Sequence, residues 1–317
     1  MSKISIALTT YHGTQYLLKQ LQSLLRQSRQ ADEVIICDDC SQDNTVSIVR
    51  QFIAEHGLKN WYLYENQHNL GFARNFRKAL SLTTGEIVFL CDQDDIWLDN
   101  KIETMFDILA DNPTILALAC SYRLIDGQDQ VLATDVPKFY EPKPGTSVLS
   151  PVEYGPILYN NIAQGCAGAY RRKLIDAFCS TDDFGSMPHD WALNLMAHQE
   201  HGLYFLNKEL LLYRIHGQNA IGLGDTGAST ANRIPRLRKY AAELESALCL
   251  PIPEMAKEEI RAIVEFIDTR LAFLRSKRLS LWIMGLGRHT YVLKQYFFWQ
   301  YLKDFVLVLL GKIPNTD

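Results

Sequence analysis

Nothing in this 317-residue chain is apolar for long enough to cross a bilayer, because the most hydrophobic stretch, near the carboxyl end, is interrupted by Lys294, Lys303 and Asp304. No secretion leader is expected either. The opening Lys3-Ile-Ser-Ile-Ala-Leu-Thr9 reads as a first strand, so a cytoplasmic location is expected. A strong charge of one sign is absent: the formal net charge is −4, which argues against nonspecific nucleic-acid binding. No phosphate-binding loop of the GxxxxGK[ST] type occurs, which disfavours phosphoryl or nucleotidyl transfer. The seven cysteines, at 37, 40, 91, 120, 166, 179 and 249, are odd in number and irregularly spaced. They fit a reducing compartment rather than a disulfide framework. Cys37 and Cys40 have CxxC spacing, but the acidic loop around them raises thiol pKa values, and they are not read as a redox pair.

What is present is acid at a strand end. The run Glu86-Ile-Val-Phe-Leu-Cys91-Asp92-Gln93-Asp94-Asp95-Ile-Trp97 delivers three carboxylates within four residues of a buried strand's carboxyl terminus. Carboxylates so crowded either shift their pKa values upward or bind a cation. Oxygen ligands suit a hard ion, so Mg2+ or Mn2+ is expected before zinc. Such an ion keeps positions for phosphate, and ligands of open α/β sheets gather beyond the carboxyl ends of strands, so a diphosphate-bearing substrate is expected. The plain alternative is that Asp94 or Asp95 caps the next helix.

Over the first 125 residues, apolar strands alternate with helix-period segments, as in a mostly parallel sheet. Strands are expected at 4–8, 33–37, 61–64, 86–91 and 115–120. Helices are expected around Leu17 to Leu25, Val46 to Ile53, Phe72 to Leu82 and residues 99–110. After Asp126 prolines and glycines increase, and 138–145 reads as a loop near the site. His189-Asp190-Trp191 stands where another helix begins, and both an N-cap and a functional carboxylate are open readings of Asp190. The letters of Gly222-Leu-Gly224-Asp-Thr-Gly227 match a dinucleotide fingerprint, but no clean strand precedes them and no βαβ unit follows. They mark a boundary between a catalytic domain, 1–222, and a helical region, 223–317. In that region Ile260, Ile263, Val264, Ile267, Leu271 and Leu274 form one stripe. Phe297/Phe298, Tyr301/Leu302, Phe305/Val306 and Leu309/Leu310 form another. With Trp282, Trp299 and a locally basic composition, this second stripe fits a membrane surface, packing onto the catalytic domain, or a homodimer seam.

Several segments in order resemble the family 2 glycosyltransferases, which have the GT-A fold: Thr9-Thr-Tyr11-His-Gly13, Asp38-Asp39-Cys-Ser41-Gln-Asp43-Asn-Thr45, Asn69-Leu-Gly71-Phe-Ala-Arg74-Asn75 and Gly85-Glu86 through Trp97. The resemblance continues through Gly165-Cys-Ala-Gly168-Ala-Tyr-Arg171-Arg172, His189-Asp190-Trp191 and Tyr213-Arg214-Ile-His216-Gly-Gln-Asn219, over about 220 residues. It implies an α/β fold of GT-A type with a mostly parallel central sheet and a helical C-terminal region. It further implies that Thr9, Tyr11, Asp39, Gly71, Arg74, Asp92, Gln93 and Asp94 bind the nucleotide-sugar donor, with Asp39 accepting from the pyrimidine N3–H. Asp92 and Asp94 match the family's DxD and hold Mg2+ or Mn2+, with His216 completing the metal shell or making only a structural hydrogen bond. Asp190 matches the catalytic base of an inverting transfer. Asp95, Trp97, His189, Trp191 and Arg214 are candidates for acceptor contact or for support of these residues. A protonated His189 would lower the base's pKa; alternatively it packs.

The DQDDIW and HDW forms are similar to those of bacterial rhamnosyltransferases of cell-wall and capsular polysaccharide synthesis. That similarity implies dTDP-L-rhamnose as donor, with a UDP-hexose as the alternative. The acceptor is then a growing saccharide carried on a polyprenyl diphosphate at the inner face of the cell membrane. A glycoside hydrolase would use paired carboxylates without nucleotide or metal. An inactive sugar-binding partner of a synthase complex would bind without turnover.

Overall fold

In the computed structural model the described residues are 2–133, 147–152, 156–159, 161, 163–181, 185–217 and 232–313. The loop expected at 138–145 and the boundary expected at 222–227 lie outside them. Strands β1 (Ile4–Thr10), β2 (Glu33–Asp38), β3 (Trp61–Glu65) and β4 (Ile87–Cys91) alternate with helices α1 (Leu17–Leu25), α2 (Thr45–Glu55) and α3 (Phe72–Leu82). The order β3-β2-β1-β4 is parallel throughout. Continuous burial explains the near-uniform apolar runs of β1, β2 and β4, since helices cover a parallel sheet on both faces.

Beyond β4 the sheet is mixed. It takes in β5 (Ile96–Trp97), then, after α4 (Lys101–Asp111), β6 (Ala117–Ile125), β7 (Leu149–Pro151), β8 (Gly168–Arg171) and β9 (Leu203–Arg214). Helices α5 (Pro156–Tyr159), α6 (Arg172–Cys179) and α7 (His189–Gln199) lie between them in sequence. β8 is antiparallel to both β4 and β6, while β6 and β9 are parallel. The sequence reading missed β9 because Asn207, Lys208 and Glu209 break its apolar run in the middle. There the pairing with β6 shifts register, and the polar residues turn outward. β9 is the strand that carries Arg214 to the acid-bearing loop.

The chain divides into two compact units, one of Met1–Val152, Asn161–Ser180 and His189–Gly224, the other of Glu153–Asn160, Thr181–Pro188 and Asp225–Asp317. The second unit contains α8 (Arg233–Ala247), α9 (Glu254–Ser276), α10 (Leu279–Arg288), α11 (Thr290–Val292), a π-helical turn at Leu293–Phe297, and α12 (Phe298–Leu309). The stripe of α9 from Ile260 to Leu274 is buried as its spacing implies. In α12 only one side of the apolar segment goes inward. Tyr301 is buried, its hydroxyl donating to the Trp282 carbonyl at 3.0 Å, whereas Val306, Leu309 and Leu310 face solvent. Asp304 reads from sequence as an interruption of the apolar segment. It is fully buried and accepts from Arg270 Nε at 2.9 Å and from Arg233.

Removing one partner of a buried ion pair strands the other charge, at a cost of about 3–5 kcal/mol. Asp304→Ala should therefore lower the stability measured by urea unfolding by about that amount. Lys173→Ala, which removes an exposed pair with Glu200, should leave the midpoint unchanged.

Candidate active site

Because β1, β2 and β4 run parallel and end together, the loops that leave them gather at one edge of the sheet. Gln93, from the loop after β4, fastens the loop after β1: its Oε1 accepts from the Tyr11 N–H at 2.8 Å and its Nε2 donates to the Tyr11 carbonyl at 2.9 Å. A β-carbon at Gly13 would collide with the Gln93 amide, which accounts for the glycine. Tyr11 is left 47% exposed beside this clamp, and Thr9, near the end of β1, is buried.

The two acids at the end of β2 do different work. Asp38 is consumed internally, accepting from Thr10 Oγ1 at 2.7 Å and from the N–H and hydroxyl of Ser41 at 2.8 and 2.7 Å. Asp39 Oδ1 accepts from Asn66 Nδ2 and the Leu70 N–H, and Oδ2 from the Gly71 N–H, at 2.7–2.9 Å. A carboxylate has about four lone-pair sites, so Oδ2 retains capacity for one more donor. Gly71 sits at φ +82° just before α3, a conformation that strains any side chain, and its N–H thereby points at Asp39. Arg74 is exposed on the first turn of α3. Asn75, the last residue of its motif, and Asn66, which sequence reasoning did not single out, complete the support. Asn75 accepts from Asn66 at 2.9 Å and donates to the Cys37 carbonyl at 2.9 Å.

The acid loop is held from below by cations and amides. Arg214, 0% exposed, donates from Nε to the Asp94 carbonyl at 2.7 Å, and its backbone N–H donates to Asp95 Oδ1 at 3.0 Å. Its guanidinium also meets the Asp126 carbonyl at 2.8 Å, the Asp129 carboxylate, and the face of the Tyr16 ring. Arg214 is therefore a clamp on the loop, the supporting one of the two roles expected for it. Asp95 is 1% exposed, and burial, with the Asp94 charge beside it, raises its pKa to about 7 against the pull of the Arg214 N–H. Burial lifts Asp92 well above the usual carboxylate range, reinforced by the charges of Asp94, Asp95 and Asp190. His216 Nε2 lies 2.8 Å from Asp94 Oδ2.

Two further groups escaped the sequence reading. Lys101, fully buried at the start of α4, donates to the Cys166 carbonyl and lies 3.7 Å from the centre of the Trp97 ring. Asp92, Asp95 and Cys166 offer ligand atoms within 4.8 Å of one another. Burial and the two acids push the Cys166 thiol far above its ordinary pKa, so it stays protonated and is a poor ligand for a hard ion. Of the residues expected to ligate a cation, the structure brings His216 onto Asp94, whereas the ligand atoms gathered most closely among the described residues are those of Asp92, Asp95 and Cys166.

Asp190 enters from the first turn of α7. Its Oδ2 accepts from the Gly165 N–H at 2.9 Å and its Oδ1 from the Trp191 N–H at 2.8 Å. A β-carbon on Gly165 would sit 3.2 Å from the Asp190 side chain, so glycine permits this approach. His189 is stacked on Phe76 with centroids 3.9 Å apart, and burial lowers its pKa to about 4 despite the neighbouring Asp190 charge. It is neutral near pH 7, which removes the reading of a protonated His189 acting on the base. Trp97 and Trp191 are buried, which fits support of the site, the second of the two roles expected for them.

The family model described as Glycosyl transferase family 2 matches residues 5–178. Curated relatives at 26–27% identity are uncharacterised glycosyltransferases, and the chain spans 64–66% of their length. The dTDP-rhamnosyl transferase RfbG of Shigella flexneri is 27% identical over 68% of this chain and 73% of its own. The Escherichia coli UDP-Glc:alpha-D-GlcNAc-diphosphoundecaprenol beta-1,3-glucosyltransferase WfgD is 29% identical over 40% of this chain and 49% of its own. Among solved structures, S. aureus TarS 1-349 in complex with UDP-GlcNAc superposes with a TM-score of 0.57 at 17% identity, covering 98% of this chain and 82% of that one. That likeness is one of fold.

A buried histidine whose pKa falls on folding stabilises the protein fully only above its unfolded value near 6.5. That contribution is lost as pH drops toward 4, amounting to about 3 kcal/mol. Urea unfolding at pH 7.5 and pH 4 should show a fall larger by about that amount in the wild type than in His189→Gln, which cannot titrate.

Proposed function

The chain belongs to glycosyl transferase family 2, and on that premise we propose that it is an inverting, divalent-metal-dependent transferase that moves a sugar from a nucleotide-sugar donor to a saccharide hydroxyl. The observation that carries the reading is the concentration of Asp92, Asp94, Asp95 and Asp190 at the carboxyl edge of β4, where burial and then the charges of the other three lift Asp92 well above the usual carboxylate range. Asp39, with one acceptor position to spare, takes the pyrimidine N3–H. Tyr11 and Thr9 flank the base, and the glycine at 71 lets the backbone come close. Asp92, Asp94 and His216 would hold Mg2+ or Mn2+, which when bound would supply positive charge to offset the negative charge of the diphosphate leaving group.

Asp190 removes the proton of the acceptor hydroxyl. The oxygen so freed forms a bond to the anomeric carbon as the bond to the nucleoside diphosphate breaks on the opposite face. The two hydrogen bonds from Gly165 and Trp191 orient this carboxylate, while the neutral His189 packs against Phe76 behind it. Lys101 and Arg214 offset the charge of the acid loop from the protein side.

For the donor sugar, similarity to RfbG over most of the matched region supports L-rhamnose from dTDP-L-rhamnose. The shorter match to WfgD favours the second reading, a UDP-hexose. The printed acceptor of WfgD, a diphosphoundecaprenol-linked sugar, supports a lipid-linked saccharide acceptor. On this reading the protein acts in polysaccharide synthesis for cell wall or capsule, in the cytoplasm and peripheral to the inner face of the membrane. No helix among the described residues is long and apolar enough to cross a bilayer.

Release of nucleoside diphosphate from a panel of dTDP- and UDP-sugars should be seen with Mg2+ or Mn2+ for one donor and abolished by chelator or by Asp94→Ala. Asp190→Asn should lower sugar transfer about 10²–10⁴-fold while donor affinity by calorimetry holds. Undiminished transfer in that variant would remove Asp190 from the mechanism. No release and no nucleotide binding from any donor would favour a sugar-binding partner without turnover.

A further inference from the structure

We infer that the outer faces of α10 and α12 form a docking surface for an anionic lipid bilayer, on which the helices lie without crossing. The inference deepens the lipid-linked acceptor reading and rests on it for its purpose, while the contact itself is a property of these two helices. α12 is apolar on both sides. Its inner side packs through Tyr301, while Trp299, Val306, Leu309 and Leu310, with Lys303 among them, form a solvent-facing stripe at helical spacing. α10 packs beside α12 through Trp282, whose ring stacks on Phe305 with centroids 4.4 Å apart and on Tyr301 at 5.7 Å. It leaves Leu279, Ile283 and Met284 exposed in turn. Exposed aliphatic and aromatic side chains in such density mark a surface that meets another phase or molecule.

Charge selects the occupant. Between residues 275 and 312 the sequence has seven lysines and arginines, all exposed, and one acid, Asp304, which is buried against Arg233 and Arg270. This basic segment belongs to a chain whose net charge is −4. From α9, Glu265 meets Arg288 at 3.7 Å and Glu259 accepts from the Tyr291 hydroxyl at 3.2 Å, and the exposed cations of the π-helical turn, of α12 and just after it are Lys294, Lys303 and Lys312. A second copy would bring the same basic face against itself, since a twofold interface is self-complementary, and no acid on α10 or α12 is exposed to answer it. A bilayer rich in phosphatidylglycerol supplies both the anionic headgroups and the apolar depth that the stripe fits.

The test is co-sedimentation of the full-length protein, without donor or acceptor, with phosphatidylcholine vesicles and with vesicles rich in phosphatidylglycerol. Binding is expected to the anionic vesicles and to fall as salt is raised. Each cation near an anionic surface contributes roughly fivefold to partitioning, so Lys294→Gln/Lys303→Gln/Lys312→Gln should weaken binding by roughly a hundredfold with the thermal midpoint unchanged. Trp299 is the one exposed tryptophan of the five, at 75%, so a blue shift of emission on binding should vanish in Trp299→Phe. Recovery of the wild type in the supernatant with both vesicle types overturns the proposal. So does a concentration-dependent dimer, dissolved by Leu309→Glu, in place of vesicle binding, because the face would then belong to a second copy. Vesicle binding by a protein that releases no nucleotide would sink the proposed function and leave this surface standing.

Discussion

Four carboxylates confined at one end of a buried strand are the constraint around which the first unit is arranged. Asp92, Asp94 and Asp95 leave β4 in succession, and Asp190 faces Asp92 from α7 closely enough to raise its pKa. Left to themselves they would repel one another and open the loop. The protein answers with a buried guanidinium and ammonium, Arg214 and Lys101, and with directed backbone amides from Arg214, Gly165 and Trp191. These hold the loop without neutralising it. The remaining negative potential faces the edge where, in the function proposed above, a metal and a diphosphate would bind, and the cost of assembling the acids would become affinity for a cation.

The antiparallel half of the sheet exists to deliver this support. A parallel half-sheet alone would carry Asp39 and the acid run to one edge, but neither Asp190 nor Arg214. β8 pairs with β4 on one side and β6 on the other, and the 3-10 turn Gly165–Ala167 before it puts the Gly165 amide against Asp190 and the Cys166 carbonyl over Lys101. β9, bent at its register shift, ends at Arg214 and presents His216 two residues later to Asp94. Gly13, Gly71 and Gly165 mark the places where a loop must pass against a side chain or turn through positive φ. Each lies within one of the segments that resemble the family's motifs, as expected where backbone approach sets the geometry.

The second unit shows the same economy with opposite sign. One buried carboxylate, Asp304, gathers Arg233 from α8 and Arg270 from α9 onto α12. Around it Phe266, Phe297 and Tyr301 pack ring against ring. The helices thus satisfy themselves internally with one side of α12, and its other apolar side remains outward.

Read alone, the amino-acid order determined the alternation of β1–β4 with α1–α3, the position of the acid run, the start of α7 and the buried face of α9. Each of these is written in local periodicity or in residues adjacent along the chain. The family was legible for the same reason, through short motifs in order. What only the tertiary structure decided was pairing at a distance: β9 beside β6, Lys101 beneath Trp97 and Cys166, Arg214 as a clamp, and His189 as a neutral packed ring whose pKa is set by burial. A lysine at the start of an amphipathic helix and an aspartate inside an apolar stripe have the same letters whether solvated or buried. Only the folded surroundings, by removing water and supplying partners, fix what those charges do.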